Sequence, residues 1–457
     1  MLKKVQESNF TYSGGPKPHF LLGSIPEIKK GPIEFLSNNA HVYGDLVDFR
    51  VGRKWNVQLN HPELIEYVLV KNHKNYRKSD MAIRFSQFLG QALLVSYGEK
   101  WKKDRQMLQP LFNKESVEGI YSKVTAEVIN DIKNKWGEDS KSRKPVNISK
   151  DMSYITMNVS LRTLFGNNIT KQQAEMLDAN INILMEYVGL PRIFPKRDTN
   201  RYLKPELYAR AQKAYKAVVE FINGNLELNL KENRSNTILA IMQRATYEDG
   251  SRFTYQDLID QAVNMIFAAY ETTSTALQWF WYSLAENPDV EHKLRAELIT
   301  NIADIDNATY HDISSIEYLD MVSKEAARIY PSFWAIARAP LDDDIIGGYQ
   351  VKAGTTVTIP IICIHRSSKW WKEPEKFIPE RFSKDNEKNI IPASYIPFAI
   401  GPRKCIGAKF AEMEIKMVLS KLLPYFSLEI VPGQSKKLKP VISLKKEGDM
   451  QMYIRKV

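Results

Sequence analysis

The chain has 457 residues, 44% of them hydrophobic and 11% aromatic, so it can bury a large core. Its 64 Lys and Arg against 53 Asp and Glu give a net charge of +11, which favours an acidic partner or, equally, a basic surface that has none. Two cysteines, Cys363 and Cys405, exclude a secreted disulfide scaffold and indicate a reducing cytoplasm. Residues 1–15 hold no apolar run long enough for a signal peptide or membrane anchor, so a soluble cytoplasmic protein is expected.

The first part of the chain predicts a β-hairpin followed by helices. Residues 46–51 alternate apolar and polar side chains, turn, and return over residues 55–59, which is typical of a hairpin. Pro62 then opens a short helix. Residues 81–96 form a strongly apolar stretch that is interrupted by Gly90.

The helix after this stretch carries two side chains that suit an anionic ligand. Trp101 and Arg105 are four residues apart and therefore project from one helical face. An indole N–H and a guanidinium can both donate to an anionic oxygen group, although this spacing also occurs by chance. Residues 117–245 continue the helical pattern, and an apolar cluster within them that includes Ile193 and Phe194 fits either a lid or plain packing.

The most informative predicted helix begins at Thr254, an N-cap residue, and ends at Pro288. Glu271 is the only formally charged residue between positions 261 and 285, so the helix is predicted to be buried on nearly all sides, and its central polar residues argue against a membrane span. A lone buried carboxylate needs a partner or a function. The hydroxyl of Thr272 beside it can bond back to the carbonyl four residues earlier and distort the helix.

A later helix carries Glu325 and Arg328, which are three residues apart and can form an ion pair. Beyond it, residues 345–360 predict two β-hairpins, one turning at Gly347–Gly348 and the other at Ala353–Gly354. A further strand is predicted close to the end of the chain.

Residues 398–407, FAIGPRKCIG, form a turn-rich loop directly before an amphipathic helix. Cys405 lies in this loop two residues after Arg403. The helix dipole and the positive charge both stabilise a thiolate, which can serve as a nucleophile or as a metal ligand.

Five stretches, in this order and spacing, resemble the cytochrome P450 family of haem-thiolate monooxygenases, of the soluble bacterial type without a fused reductase. They are the WxxxR of Trp101 and Arg105, AAYETT at residues 268–273, the ExxR of Glu325 and Arg328, PERF at residues 379–382, and the FxxGxRxCxG of residues 398–407. Each motif is weak alone, but jointly they are very specific, and the resemblance covers essentially the whole chain. Ala269 departs from the glycine usual in the family, so a slightly altered groove is expected.

The resemblance implies a mainly α fold with smaller β regions (α+β), in which haem lies between a long central helix and the helix that follows the Cys loop. A single haem domain would span residues 1–457, with β-rich parts near residues 45–60, 333–362 and 425–457.

The resemblance also assigns roles, position by position. Cys405 would be the axial thiolate ligand of the iron of haem b, a role that favours cleavage of the O–O bond. Dioxygen would be the co-substrate, with Thr272 and Glu271 relaying protons to it. The haem propionates would be bound by Arg403, Arg338, Trp101 and Arg105. A buried structural triad would consist of Glu325, Arg328 and Arg381. The substrate pocket would be lined by Phe85, Phe88, Leu93, Phe267, Ala268, Ala335 and Ile336. Because this lining is almost wholly apolar, a fatty acid, terpenoid or steroid is the expected kind of substrate.

Only residues 406–457 follow Cys405, too few for a flavin domain. Electrons from NAD(P)H are therefore expected to arrive through a ferredoxin or flavodoxin with its reductase. A basic docking face for this acidic carrier would consist of Lys102, Lys103, Lys404 and Lys409. A monomer is expected, with no nucleic-acid partner and no membrane anchor. Cys363 lies outside every motif and is expected to be a buried core thiol.

Two other functions stay open on the sequence. A peroxygenase or isomerase would keep the haem but bypass dioxygen activation, and the pair formed by Glu271 and Thr272 argues against it. A haem sensor without catalytic activity is the alternative from another class.

Overall fold

The chain folds into two compact units, each built from two segments that are distant in sequence. The computed structural model describes residues 2–80, 82–142, 144–167, 169–190, 198–232 and 236–457, so the predicted cluster at Ile193 and Phe194 lies outside the described residues. The first unit comprises residues 1–82 and 324–405, and the second comprises residues 83–323 and 406–457. The single haem domain expected over residues 1–457 stays a prediction.

Helices make up most of the regular structure. In chain order they are α1 (Ile25–Lys30), α2 (Pro32–Tyr43), α3 (Pro62–Glu66), α4 (Ile83–Leu89), α5 (Gly98–Leu108), α6 (Lys114–Ser116), α7 (Ser122–Ser142), α8 (Ile148–Phe165), α9 (Lys171–Gly189), α10 (Asn200–Leu203), α11 (Pro205–Lys231), α12 (Ile238–Arg244), α13 (Tyr255–Glu286), α14 (Pro288–Asn301), α15 (Tyr310–Ser314), α16 (Glu317–Ile329), α17 (Ile361–His365), α18 (Lys384–Glu387) and α19 (Ala408–Leu422).

The strands are short. They are β1 (Lys3–Lys4), β2 (Leu46–Val51), β3 (Lys54–Leu59), β4 (Tyr76–Lys78), β5 (Val146–Asn147), β6 (Ile336–Pro340), β7 (Asp344–Ile346), β8 (Tyr349–Val351), β9 (Thr356–Ile359), β10 (Phe426–Ile430), β11 (Leu438–Pro440), β12 (Leu444–Lys446) and β13 (Gln451–Lys456). The combination of many helices with small sheets confirms the predicted α+β class.

A five-stranded sheet of order β2-β3-β9-β6-β4 forms the centre of the first unit. The β2–β3 hairpin predicted from the sequence is present, and Gly52 takes the positive φ of +60° that its turn requires. Aliphatic side chains such as Leu46, Ile65 and Val357 pack as one core against this sheet.

One of the two later hairpins is present and the other is not. Strands β7 and β8 pair around Gly347 and Gly348, as predicted. The second prediction, a hairpin turning at Ala353–Gly354, is wrong because β9 pairs with β3 and β6 and not with β8. The Gly354 N–H instead donates to the carbonyl of Pro340. Strands β8 and β9 belong to different sheets, and the chain crosses from one to the other at this turn. Alternating apolar residues predict the strand but not its partner.

The second unit is arranged around α13. Thr254 and Asp257 form a capping box at its start, and the helix ends before Pro288, as the sequence predicts. It is buried along most of its length and packs against α8, where the Thr156 hydroxyl donates to the carbonyl of Tyr270 over 3.2 Å. Among the described residues, no helix combines the length and apolar composition needed to cross a bilayer.

Candidate functional site

The loop before α19 presents a single thiol. The Cys405 N–H donates to the carbonyl of Phe398 over 2.9 Å, and the Lys404 N–H donates to the carbonyl of Gly401 over the same distance. Gly401 has a φ of +77°, and a Cβ there would lie 2.2 Å from the carbonyl oxygen of Leu69. Glycine is therefore required where the loop passes this backbone. The thiol of Cys405 is exposed on the folded loop.

Three cations lie near this cysteine within the first unit. Lys78 and Arg338 face each other across the β4–β6 ladder, and like charges directly opposite destabilise such a pair. Burial lowers the pKa of Lys78 well below its usual range, and the charges of Arg338 and Arg403 lower it further. Cys405 partly offsets this by raising the pKa of Lys78. Burial also lowers the pKa values of Arg338 and Arg403, to about 10 in each case. A group with more than one negative charge would stabilise all three.

Lys78 belongs to this cluster, although no sequence motif predicts it. It lies outside every motif, and nothing in its local pattern distinguishes it from the other lysines of the chain. It becomes significant only through the pairing of β4 with β6, which places it opposite Arg338. The predicted donors Trp101 and Arg105 lie half-buried on α5, in the second unit.

The residues predicted as a structural triad lie in contact. Arg328 donates to both carboxylate oxygens of Glu325, over 2.7 and 2.9 Å, and both side chains are fully buried. Arg381 adds a third bond to the same carboxylate over 3.2 Å. The remaining guanidinium nitrogen of Arg328, Nη1, donates to the backbone carbonyls of His365 and Pro374. The network thus gives the buried Glu325 and Arg328 charges hydrogen-bond partners and links α16 to the backbone at residues 365 and 374.

His365 ties this network to the chain that leads to the cysteine loop. Its Nε2 accepts the Ile396 N–H over 2.8 Å, so the proton lies on Nδ1, which is 3.1 Å from the carbonyl of Arg328. Burial and the Arg328 charge lower the pKa of His365 to about 3, so the ring is neutral at neutral pH.

In the second unit, Glu271 of α13 is held by the hairpin of β11 and β12. Its Oε1 accepts a bond from the fully buried Ser443 hydroxyl over 2.5 Å and forms an ion pair with Lys445 over 3.2 Å. The Lys445 side chain is 42% exposed, so this pair connects a buried carboxylate with solvent. The sequence pattern around residue 271 indicates the buried Glu271 but not these two partners, because they are more than 170 residues away.

The neighbouring Thr272 has a different environment. Its hydroxyl donates to the carbonyl of Ala268 over 2.7 Å, which is the back-bond expected from the sequence. On a helix that is otherwise buried, Met265, Ala268, Thr272 and Ala276 retain solvent exposure at three- and four-residue spacing and thus share one face. This stripe is the open side of α13 near its middle.

The residues predicted to line a pocket divide between the two units. Phe88 is fully buried between the rings of Tyr187 and Tyr215, and Leu93 and Phe267 are also buried. The remaining members are half-buried or exposed: Phe85 and Ala268 in the second unit, and Ala335 and Ile336 in the first.

A comparison with protein-family models matches residues 13–450 to the model described as Cytochrome P450. The chain belongs to the cytochrome P450 family. Among curated proteins it is 31% identical to cytochrome P450 3A9 of Rattus norvegicus, over 96% of this chain and 88% of the relative. It is 30% identical to cytochrome P450 3A6 of Oryctolagus cuniculus, over 96% and 89% of the two chains.

This membership establishes a monooxygenase that uses haem b, dioxygen and electrons derived from NAD(P)H through a redox partner. The residues of the first unit fit such a cofactor. An exposed thiol suits the iron, and Lys78, Arg338 and Arg403 supply the positive charge that two propionates need.

Proposed function

We propose that this cytochrome P450 hydroxylates a hydrophobic small molecule of the fatty acid, terpenoid or steroid kind. The observation that carries the proposal is the apolar character of the residues expected around the substrate. Phe88 packs against the rings of Tyr187 and Tyr215, and Leu93 and Phe267 are buried apolar side chains. The open stripe of α13 adds the apolar side chains of Met265, Ala268 and Ala276. An apolar lining favours an apolar ligand because water is displaced from both surfaces.

The roles of the chain's own residues follow from their chemistry. Haem, when bound, supplies the redox chemistry of oxygen insertion. The Cys405 thiolate would hold the iron, and the cations Lys78, Arg338 and Arg403 would neutralise the propionates, with Trp101 and Arg105 of α5 as further donors. The network around Glu325 and Arg328 would keep the backbone before the cysteine loop in place.

Glu271 and Thr272 would deliver the protons that the reaction needs. The Thr272 hydroxyl lies on the open stripe of α13, and the Glu271 carboxylate beside it is bonded to Ser443 and Lys445. Because the Lys445 side chain is partly exposed, its contact with Glu271 would let this buried carboxylate exchange protons with bulk water.

Replacing Thr272 by Ala tests the proton role. We expect electron consumption to continue while product formation per electron falls several-fold, because proton delivery to oxygen is no longer ordered. The measurement is the ratio of product to NAD(P)H consumed, and Thr273→Ala, a buried neighbour, is the control. Unchanged coupling in T272A would favour the peroxygenase or isomerase alternative, in which dioxygen is not activated.

A spectral titration tests the substrate class. The purified haem protein is titrated with matched sets of apolar and small polar ligands, and the haem absorption shift reports binding. We expect shifts with fatty acids, terpenoids or steroids. Shifts with the polar set alone would contradict the proposal, and an absence of any reducible, ligand-accessible haem would support the sensor alternative.

We also propose that electrons arrive from an acidic ferredoxin or flavodoxin that docks on a basic face. All four lysines are exposed, and Lys103 forms an ion pair with Asp249 over 2.6 Å. Opposite charges accelerate association, and salt screens them. Turnover should fall with rising ionic strength and in Lys102→Glu and Lys409→Glu, but not in the control Lys216→Glu. A salt-independent rate, or productive turnover only with a two-flavin reductase, would overturn this choice of partner.

A cytoplasmic location is proposed on the state of the cysteines, and the monomer expected from the sequence stays a prediction. Cys363 is a buried free thiol whose Sγ lies 3.2 Å from the Ser37 hydroxyl, and burial raises its pKa to about 11. Such a thiol persists in a reducing compartment. Cell fractionation and sedimentation velocity measure the two properties, and a membrane-bound or dimeric protein would contradict them.

A further inference from the structure

The segment that joins α4 to α5 is tied to α13 by two adjacent side chains. The Gln91 N–H donates to Asp260 Oδ2 over 2.8 Å, and the Leu93 N–H donates to Gln261 Oε1 over 3.1 Å. Asp260 and Gln261 are both buried, and Gln261 has no exposed surface. The two bonds hold residues 91–93 against the first part of α13 by their backbone. We call this arrangement the loop clasp.

Gly90 lets the segment come this close. Its φ is +50°, and a Cβ built on it would lie 1.8 Å from Asp260 Oδ2. The other carboxylate oxygen accepts a bond from Gln256 Nε2 over 2.7 Å, so the carboxylate cannot rotate away without losing that partner. A side chain at position 90 is therefore excluded by both backbone conformation and contact.

The second half of the clasp is anchored in a buried polar network. Gln261 Nε2 donates to Asp104 Oδ2 over 3.0 Å, and the Tyr247 hydroxyl donates to the other oxygen of Asp104 over 2.7 Å. Lys100 lies 3.3 Å from the same carboxylate. Because both ends of the Gln261 amide are occupied, its orientation is fixed, and so is the position of the Leu93 N–H.

The clasped residues lie between two of the side chains expected to line the substrate pocket. Phe88 precedes Gly90 by two residues and is enclosed by Tyr187 and Tyr215. Leu93 is itself one of the clasped residues. A shift of the backbone at residues 90–93 would move both side chains.

We propose that Asp260 and Gln261 are positioning residues that set the size of the ligand this P450 admits, by fixing Phe88 and Leu93 through the loop clasp. The proposal rests on the proposed function in one respect, the assignment of Phe88 and Leu93 to the pocket. Neither Asp260 nor Gln261 is required to touch the substrate. A released clasp should admit larger ligands and should discriminate less between large and small ones.

The test uses the haem-loaded full chain and the variants Asp260→Ala and Gln261→Leu. Asn264→Ala is the matched control, since Asn264 is one turn further along α13, buried, and has an unpartnered Oδ1 among the described residues. Amide hydrogen exchange is measured at residues 88–96. The charge-assisted bond lost in D260A should accelerate exchange at Gln91 roughly tenfold or more. The Leu93 amide should respond more strongly in Q261L.

The second readout is binding of imidazoles with substituents of increasing size, which bind haem iron whatever the natural substrate is. We expect the ratio of affinities for the largest and smallest imidazole to rise roughly tenfold in D260A and Q261L and to stay unchanged in N264A. Unchanged exchange at Gln91 and Leu93, or an equal change in N264A, overturns the clasp. Accelerated exchange with an unchanged size ratio overturns the role in ligand selection. A failure of the wild type to bind any fatty acid, terpenoid or steroid would instead defeat the proposed function.

Discussion

Two groups of buried charges in the first unit differ in how they are balanced. Around Glu325, one carboxylate meets Arg328 and Arg381, and the remaining guanidinium donors reach backbone carbonyls. Around Arg338, by contrast, three cations lie together, and burial lowers the pKa of each. The first group is complete within the protein. The second brings like charges together, which an anionic group would stabilise.

The difference separates a structural role from a binding role on physical grounds. A buried ion pair whose hydrogen bonds are all made costs little while it is intact and a great deal when one partner is removed. A cluster of like charges costs free energy until its ligand binds, and it then contributes to affinity. The same residue type, arginine, is thus proposed to serve a structural purpose in Arg328 and a binding purpose in Arg338.

Removal of the Glu325 carboxylate should produce the largest effect. In Glu325→Ala the Arg328 guanidinium stays buried without its counter-ion, at a cost of about 3–5 kcal/mol. We expect little or no folded protein, measured as the yield of haem-bound chain and its thermal midpoint. Glu138→Ala is the control, since it breaks an exposed pair with Lys141 and should leave the midpoint unchanged. A stable E325A protein would mean that this network is not structural.

His365 predicts an acid-sensitive fold. Its pKa is about 3 in the folded state and about 6.5 in the unfolded chain, so the unfolded chain binds more protons between these values. The stability that depends on a neutral His365 is therefore fully present above about pH 6.5. The free energy of unfolding then falls by about 1.4 kcal/mol per pH unit as the pH drops toward 3. Chemical unfolding at several pH values measures this slope. His365→Gln, which cannot titrate, should flatten it, and an identical slope in H365Q would refute the assignment.

Removal of one cation from the cluster around Arg338 should weaken haem binding without destabilising the fold. In Lys78→Met or Arg338→Met the fold loses like-charge repulsion, so the thermal midpoint of the haem-free chain should stay the same or rise. Haem loss to an excess of a scavenging globin should accelerate roughly 10- to 100-fold, since a charge-assisted bond of about 1.5–3 kcal/mol is lost. Arg77→Met is the matched control, because Arg77 is adjacent on β4 but pairs with Asp80. Equal rates of haem loss in all three variants would show that the cluster has no special role in retaining haem.

The long central helix α13 shows which structural features local sequence patterns can predict and which they cannot. The capping box at Thr254, the stop at Pro288 and the near absence of charge between them predicted the observed helix almost to the residue. The back-bond of Thr272 was equally predictable, because the carbonyl four residues earlier is always within reach on a helix. The contacts of Glu271 with Ser443 and Lys445 were not, because no pattern near residue 271 indicates which distant hairpin will pack there.

The sequence by itself determined the family, the haem chemistry and the spacing of the motif residues, since each motif is confined to a short stretch whose geometry is local. The tertiary structure alone decided which strand β9 joins, that Lys78 lies opposite Arg338, and that Asp260 and Gln261 hold the segment after Gly90. These contacts arise because strand pairing and helix packing bring together residues far apart along the chain. Their effects depend on burial, which strengthens an unmatched charge or hydrogen bond only once solvent has been excluded.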